Sequence, residues 1–135
     1  MAIAVEDQRR RANRWRAVVA LVLQAAGIPA ESRPAARRVS EEAFGIEPDV
    51  YGVPGLHIVA SPVGWSRVSV YLNRAVLGAD ERGQGDVPVL VLPRQQYEPG
   101  DAYAVLTLSD LARLALDAAK GRSQATDADL TASEV

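Results

Sequence analysis

The first apolar pattern in the chain is helical. Between Arg9 and Ala26, apolar residues recur at three- and four-residue steps, namely Trp15, Val18, Val19, Val22 and Ala26. This spacing predicts a helix with one buried face and arginines on the other face. Gly27 and Pro29 predict its end, because glycine favours the left-handed conformation found just past a helix and proline does not continue one.

Short strands are predicted next. Residues 28–34 indicate a short strand, whereas residues 35–47 mix charged and small residues without a clean period and are expected to form a loop or a short helix. Residues 49–53 and 56–61 are rich in β-branched and apolar residues and flank the turn-forming pair Pro54-Gly55. This arrangement predicts a β-hairpin.

A second helix is predicted from Trp65 to Ala79. Apolar residues again recur at helical spacing, namely Trp65, Val68, Leu72, Ala75, Val76 and Ala79. A strand remains an alternative for the first half, because Val68 and Val70 are β-branched.

Two strands and a helix complete the pattern. Residues 87–92 form an apolar run typical of a strand buried on both faces, and residues 102–106 predict another. The last helix is expected from Thr107 to Gly121, since Thr107 and Asp110 have the spacing of a capping box. The order of helices and strands predicts an α/β fold with a mixed β-sheet flanked by helices.

The 135 residues and 14.4 kDa suit one domain of ordinary size. We expect a flexible N-terminus over residues 1–8, a single α/β domain over residues 9–121 and a disordered polar tail over residues 122–135. With 48% hydrophobic and 24% charged residues, the composition is that of a folded domain and not of a disordered chain. The longest apolar run is far shorter than the roughly 20 residues of a membrane span.

The chain has no cysteine and one histidine. This composition excludes disulfides, thiol nucleophiles and multi-histidine metal sites, so that any metal ion must be held by carboxylates. The first seven residues lack the pattern of a secretory signal, and the expected location is the cytoplasm. Abundant alanine and valine, with fourteen arginines against one lysine, indicate a GC-rich genome.

The charges are distributed unevenly along the chain. Residues 1–38 hold eight arginines and three acidic residues, a net charge of +5, whereas the remaining residues carry −7. Such asymmetry indicates a surface that can meet nucleic acid, although the overall pI of about 5.4 is low for a general DNA-binding protein.

Common catalytic signatures are absent: there is no glycine-rich phosphate loop, no serine elbow and no paired-histidine helix. What remains is the segment 47–61, whose predicted hairpin lies between two predicted helices. This segment resembles the core of the PD-(D/E)xK nuclease superfamily, in the small phage and actinobacterial branch described as restriction-endonuclease-like or Holliday junction resolvase-like. The resemblance covers roughly residues 12–119 and rests on Pro48-Asp49, Gly52-Val-Pro-Gly55, Leu56-His-Ile58, the helix ending near Ala75, and Val87-Pro-Val89.

The resemblance implies a restriction-endonuclease-like core, but the catalytic residues depart from the family pattern. If Asp49 is the family aspartate, Val59 stands in place of the metal-binding glutamate and Ser61 in place of the lysine. Trp15 falls where many relatives have a first-helix glutamate, and Arg74 falls where they have a glutamine. Hydrolysis by this fold needs carboxylates that converge on Mg²⁺, and valine supplies no oxygen ligand.

A migrated site is the remaining catalytic alternative. It would use Asp49 and Glu47 as Mg²⁺ ligands, with Glu41 or Glu42 as further donors and His57 as a base. Asp49 and His57 each have a structural alternative: Asp49 can cap the turn after Pro48, and a lone histidine between apolar strand residues is more often half-buried and structural.

The favoured function is therefore non-catalytic binding of a DNA backbone by a degenerate nuclease fold from a phage or an actinobacterium. Arginine suits phosphate through bidentate contacts, although arginines 9, 10, 11, 14 and 16 also fit an ordinary solvent-exposed helix face. The expected DNA-binding residues are Arg9, Arg10, Arg14, Arg16, Arg33, Arg37 and Arg38.

Two alternatives stay open. The chain can be a structural or assembly protein of a virion or packaging machine, with Trp65, Tyr71 and Tyr97 as interface anchors. It can also be an active Mg²⁺-dependent endonuclease or junction resolvase.

Expected partners are duplex or branched DNA, further copies of the chain as a homodimer or higher oligomer, or virion proteins, without a membrane. No cofactor is expected unless the site is active. Trp15 and Trp65 are expected to be core and interface anchors, not base-stacking platforms.

Overall fold

The structure is a computed structural model that describes residues 2–33 and 47–133, with side chains described for residues 7–33 and 47–124. Its α-helices are α1 (Ala2–Ala25), α2 (Val68–Arg82) and α3 (Leu108–Ser133). Its strands are β1 (Glu31–Ser32), β2 (Val50–Tyr51), β3 (Leu56–Ala60), β4 (Val87–Leu92) and β5 (Tyr103–Val105). Short 3-10 turns occur at Trp65–Arg67 and Pro99–Asp101.

The five strands form one mixed sheet in the order β1-β2-β3-β4-β5. Strands β1, β2 and β3 are antiparallel neighbours, and β5 is antiparallel to β4. Strand β4 lies parallel to β3, with Leu56 opposite Val87 and Ala60 opposite Val91. Helix α2 makes the crossover between these two strands, as a parallel connection requires. The predicted α/β class and mixed sheet are confirmed.

The sheet has an apolar cluster on each face. On one face, α1 contributes Val19 and Ala20, which pack against Val50 and Ile58 of the sheet. On the other face, Val59, Leu90 and Leu92 pack against Ala75 of α2. Because neighbouring residues of a strand point to opposite faces, Ile58 and Val59 enter different clusters. The molecule is therefore layered, with α1 and α2 on opposite sides of the sheet.

The helices are longer than predicted. Helix α1 begins at Ala2 and not at Arg9, and α3 continues past Gly121 to Ser133. Both extensions are rich in alanine, the strongest helix former, and a glycine inside an exposed helix costs only about 1 kcal/mol. Helix α2 begins after the 3-10 turn Trp65–Arg67. This confirms the predicted second helix over the strand alternative for its first half. A loop or a short helix is expected for residues 35–47, and this segment lies outside the described residues apart from Glu47.

The Thr107 half of the predicted capping box is confirmed at the start of α3. The Thr107 hydroxyl accepts a hydrogen bond of 3.2 Å from the Asp110 backbone N–H and donates one of 2.9 Å to the Asp110 carboxylate. These contacts satisfy a backbone donor that the first helical turn leaves without a partner.

The hairpin of β2 and β3 is also confirmed, and its glycines have different surroundings. Gly52 and Gly55 both have positive φ, of 76° and 78°. A Cβ atom on Gly52 would lie 2.1 Å from the Pro29 carbonyl oxygen, whereas a Cβ on Gly55 would meet nothing within 4 Å. The Gly52 backbone therefore packs directly against the chain that leads into β1.

Among the described residues, no helix is both long enough and apolar enough to cross a bilayer.

Candidate anion-binding cleft

A cleft of about 750 Å³ opens at the carboxyl end of β3. The first half of α1 forms one wall and the first half of α2 forms another, while Ala60, Ser61, Pro62 and Val63 line the end of the strand. Carboxyl ends of parallel strands are common places for ligands in open α/β sheets. Asp49, from the segment that leads into β2, lies at the same place.

The cleft is strongly cationic. Asp49 is the one acidic residue among its described lining residues. The described lining also includes six arginines from four parts of the chain, namely Arg9, Arg11, Arg16, Arg33, Arg67 and Arg74. Walls of one charge in a concave surface focus the electrostatic field and raise the local concentration of counterions. The cleft is therefore suited to an anion.

Asp49 is almost completely buried, with 2% of its surface exposed. Its Oδ1 accepts hydrogen bonds from the guanidinium groups of Arg33, at 3.1 Å, and Arg74, at 3.4 Å. Its Oδ2 accepts a 2.9 Å bond from the Ala60 backbone N–H on the neighbouring strand. The alternative in which Asp49 caps the turn after Pro48 is wrong, because these partners lie on other elements. Two arginines compensate the buried charge, as a buried carboxylate requires.

Backbone pairing explains how Asp49 and Arg33 meet. The Arg33 N–H donates to the Asp49 carbonyl at 2.8 Å, and the Asp49 N–H donates to the Ile58 carbonyl at 2.7 Å. These bonds continue the pairing of β1, β2 and β3 beyond the strand ends. Arg74 reaches the same carboxylate from the second turn of α2.

The described part of the cleft does not fit a divalent cation. Val59, at the position where the resemblance implies a metal-binding glutamate, is buried in the apolar cluster under α2. Ser61, at the lysine position, lines the cleft and accepts a 3.2 Å hydrogen bond from the Val63 N–H. A hard cation such as Mg²⁺ needs several oxygen ligands, whereas Asp49 already faces two guanidinium groups. Among its described residues, the cleft therefore lacks the ligands for metal-assisted hydrolysis.

Glu47 does not join Asp49. It is exposed, and its carboxylate accepts a hydrogen bond from the Tyr51 hydroxyl. Burial and this hydrogen bond raise the pKa of Tyr51 above its usual value of 10.0. Glu47 is not among the described residues that line the cleft. Glu41 and Glu42, the other proposed donors, lie outside the described residues.

His57 is separated from the cleft. It is buried on β3 and shares a face with Val59, and its Nδ1 has no hydrogen-bond partner among the described residues. Burial lowers the pKa of His57 below 6.5, and the charge of Arg82 lowers it further against the opposing effect of Asp86. Its surroundings are those of a buried structural histidine. The proposed role as a base stays without support from the described geometry.

The predicted DNA-binding arginines divide into three groups. Arg9, Arg16 and Arg33 line the cleft, whereas Arg10 and Arg14 are exposed on α1 and outside the cleft lining. Arg37 and Arg38 lie outside the described residues. Arg16 is 3% exposed, so the expectation that all first-helix arginines lie on a solvent-exposed face is wrong.

The sequence does not single out Arg67 or Arg74 as binding residues, and Arg11 is not among the expected DNA-binding residues. Arg74 carries one signal, since the resemblance implies a glutamine at its position in the later helix. Arg67 carries none, because helical spacing does not show that the 3-10 turn ahead of α2 borders the cleft. The cleft assembles them through the sheet topology.

An aromatic cluster lies beside the cleft. Trp65 is 55% exposed, and its ring centroid is 4.9 Å from that of Tyr103 at an interplanar angle of 58°. The Arg94 guanidinium lies 3.5 Å from the centroid of the Tyr97 ring and 5.6 Å from that of Tyr103. Trp65 is therefore not part of the core, and its expected role as an interface anchor stays a prediction. Trp15, by contrast, packs on the α1-side core and donates from Nε1 to the Val91 carbonyl at 3.2 Å.

Comparison with known proteins identifies no relative, because no family model, no curated protein and no solved structure matches the chain.

Proposed function

We propose that this chain binds the backbone of DNA in the arginine-lined cleft and does not hydrolyse it. The observation that carries the proposal is the charge of the cleft, where six arginines face one carboxylate. That carboxylate is already paired with Arg33 and Arg74. A phosphodiester backbone is the polyanion that arginine recognises best, through bidentate and charge-assisted hydrogen bonds.

The order of elements supports a restriction-endonuclease-like scaffold. The described chain runs from a helix through three antiparallel strands and a crossover helix to a strand parallel to the third. Within it, a helix before Asp49, a strand after the turn 52–55, a helix and a strand that begins at Val87 follow in the order that the resemblance implies. The loss of hydrolysis follows from Val59 and Ser61, which replace the glutamate and lysine of the family pattern.

Titration against labelled linear duplex and four-way junction DNA, with Mn²⁺ or with EDTA, tests this function. We expect retarded and intact DNA in both conditions. Affinity falls steeply as salt rises, by about 0.9 logarithmic units per logarithmic unit of salt for each phosphate contacted.

A matched pair of variants locates the binding surface. Arg9→Ala/Arg11→Ala removes two charges from the cleft lining, and Arg10→Ala/Arg14→Ala removes two charges from the same helix outside that lining. We expect the first variant to weaken binding about tenfold or more and to reduce the salt dependence, whereas the second has a small effect. Equal losses would contradict the cleft as the site.

The other outcomes separate the alternatives. Metal-dependent cleavage that Asp49→Ala abolishes would make the chain a nuclease with migrated ligands. Neither retardation nor cleavage would favour an assembly protein, for which exposed Leu108, Leu111 and Leu116 of α3 offer an apolar surface.

A further inference from the structure

Beside the cleft lies a surface that backbone binding does not use. We propose that Trp65 and Tyr103 form a stacking platform for an unpaired base whose flanking phosphate lies in the cleft, so that the preferred target is single-stranded DNA. This inference rests on the proposed function, because the cleft supplies the phosphate contact.

The platform and the cleft share one edge of the sheet. Val63 and Arg67 line the cleft, and Trp65 lies between them in the 3-10 turn that precedes α2. Tyr103 is paired with Leu92, the last residue of β4, while Ser61 follows the last residue of β3. Since β3 and β4 are parallel, both groups lie at their carboxyl ends. A strand whose phosphates enter the cleft therefore has an aromatic surface within reach of its bases.

Arg94 and Tyr97 pack beside Tyr103 and extend the cluster. The Arg94 guanidinium lies over the Tyr97 ring and close to Tyr103. A turn places Tyr97 next to Arg94, and in this turn the Tyr97 N–H donates to the Arg94 carbonyl at 3.2 Å. Gln96 in this turn has a φ of 67°, a conformation that non-glycine residues adopt at a cost. The turn thus keeps a cation and two aromatic rings together at the surface.

The chemistry of the cluster favours a base over a protein partner. Its exposed groups are the aromatic rings of Trp65, Tyr97 and Tyr103, which can stack on a base, and a cationic cleft lies beside them. The combination of stacking rings and a positive groove characterises proteins that bind single strands without sequence preference. Bases in a duplex are already stacked within the helix and do not reach such a platform.

Comparison of a short oligothymidylate with an abasic strand of the same length tests the platform. Both strands carry the same phosphates, and only the first has bases. We expect the wild-type protein to bind oligothymidylate more tightly, with quenching of Trp65 fluorescence. Trp65→Ala should lose about 5-fold to 100-fold in affinity for oligothymidylate and leave the affinity for the abasic strand unchanged.

Trp65→Phe serves as the conservative variant, since phenylalanine can still stack. It should keep part of the preference, and Trp15 remains as a reporter of folding. Equal affinity of the wild-type protein for the two strands would overturn the platform while leaving backbone binding intact. A Trp65→Ala variant that loses affinity for both strands equally would also overturn it. Failure of both strands to bind would overturn the single-strand preference, and the proposed function would fail if duplex and junction DNA also did not bind.

Discussion

His57 shows how burial determines the behaviour of one side chain. The residue is 1% exposed, and its Nδ1 lacks a hydrogen-bond partner among the described residues. Burial disfavours the charged imidazolium, and the nearby Arg82 adds to that effect, so the pKa of His57 lies below 6.5. Because the folded protein buries His57, the free energy of unfolding is expected to depend on the protonation of this residue in mild acid.

The pH dependence of unfolding follows from this lowered pKa. Well above pH 6.5 the imidazole is neutral in both states and has no effect on the pH dependence of stability. As pH falls below about 6.5, the unfolded chain takes up a proton that the folded chain resists, so the free energy of unfolding decreases. Urea unfolding at pH 7.5 and pH 5.5 measures the decrease. His57→Leu should flatten it, since the chain has one histidine. An unchanged slope in that variant would exclude His57 as the cause.

At the scale of elements, the sequence predicts the helices and strands better than it predicts what they face. The hairpin, α2, β4 and β5 follow from apolar periodicity and turn residues. The position of Arg16 does not, because a helical pattern identifies a polar face without showing that another element covers it. The sequence pattern also does not predict that Arg33 and Arg74 contact Asp49, because the sheet and its crossover helix bring them together.

Trp65 is the opposite case to Arg16, because the sequence pattern places it on a buried stripe and the structure exposes it. Its spacing matches the apolar stripe of α2, but it lies in a 3-10 turn ahead of the α-helix. A 3-10 turn has three residues per turn instead of 3.6, so its residues leave the line of the stripe. The tryptophan is therefore exposed.

The turn of the β2–β3 hairpin gives a prediction for a matched pair of glycines. Gly55→Ala places a side chain at positive φ in open space and should cost about 1–2 kcal/mol of unfolding free energy. Gly52→Ala adds a contact with the Pro29 carbonyl that no Cβ tolerates, so it should cost clearly more. Chemical denaturation of both variants makes the comparison. Equal losses would mean that the approach of Gly52 to Pro29 does not contribute.

At the scale of the whole molecule, Asp49 joins elements that are distant in sequence. Its carboxylate contacts Arg33 beyond β1, Ala60 at the end of β3 and Arg74 on α2. The chain has a net charge of −2, but this contact lies within the arginine-lined cleft. Asp49 thus stabilises the fold and at the same time occupies two guanidinium groups that a phosphate would otherwise contact.

Asp49→Asn separates these two effects and distinguishes binding from catalysis. The variant should be less stable, because it removes the charge that compensates Arg33 and Arg74; the expected loss is moderate, since Arg74 is about one-third exposed and water screens its charge. Its affinity for DNA should increase severalfold, because the cleft gains one unit of positive charge and two arginines are released for phosphate. A nuclease that uses Asp49 as a metal ligand would instead lose cleavage in this variant. Denaturant unfolding and DNA titration on the same preparation measure both quantities, and a loss of affinity in a variant that remains folded would contradict the arginine cleft as the binding site.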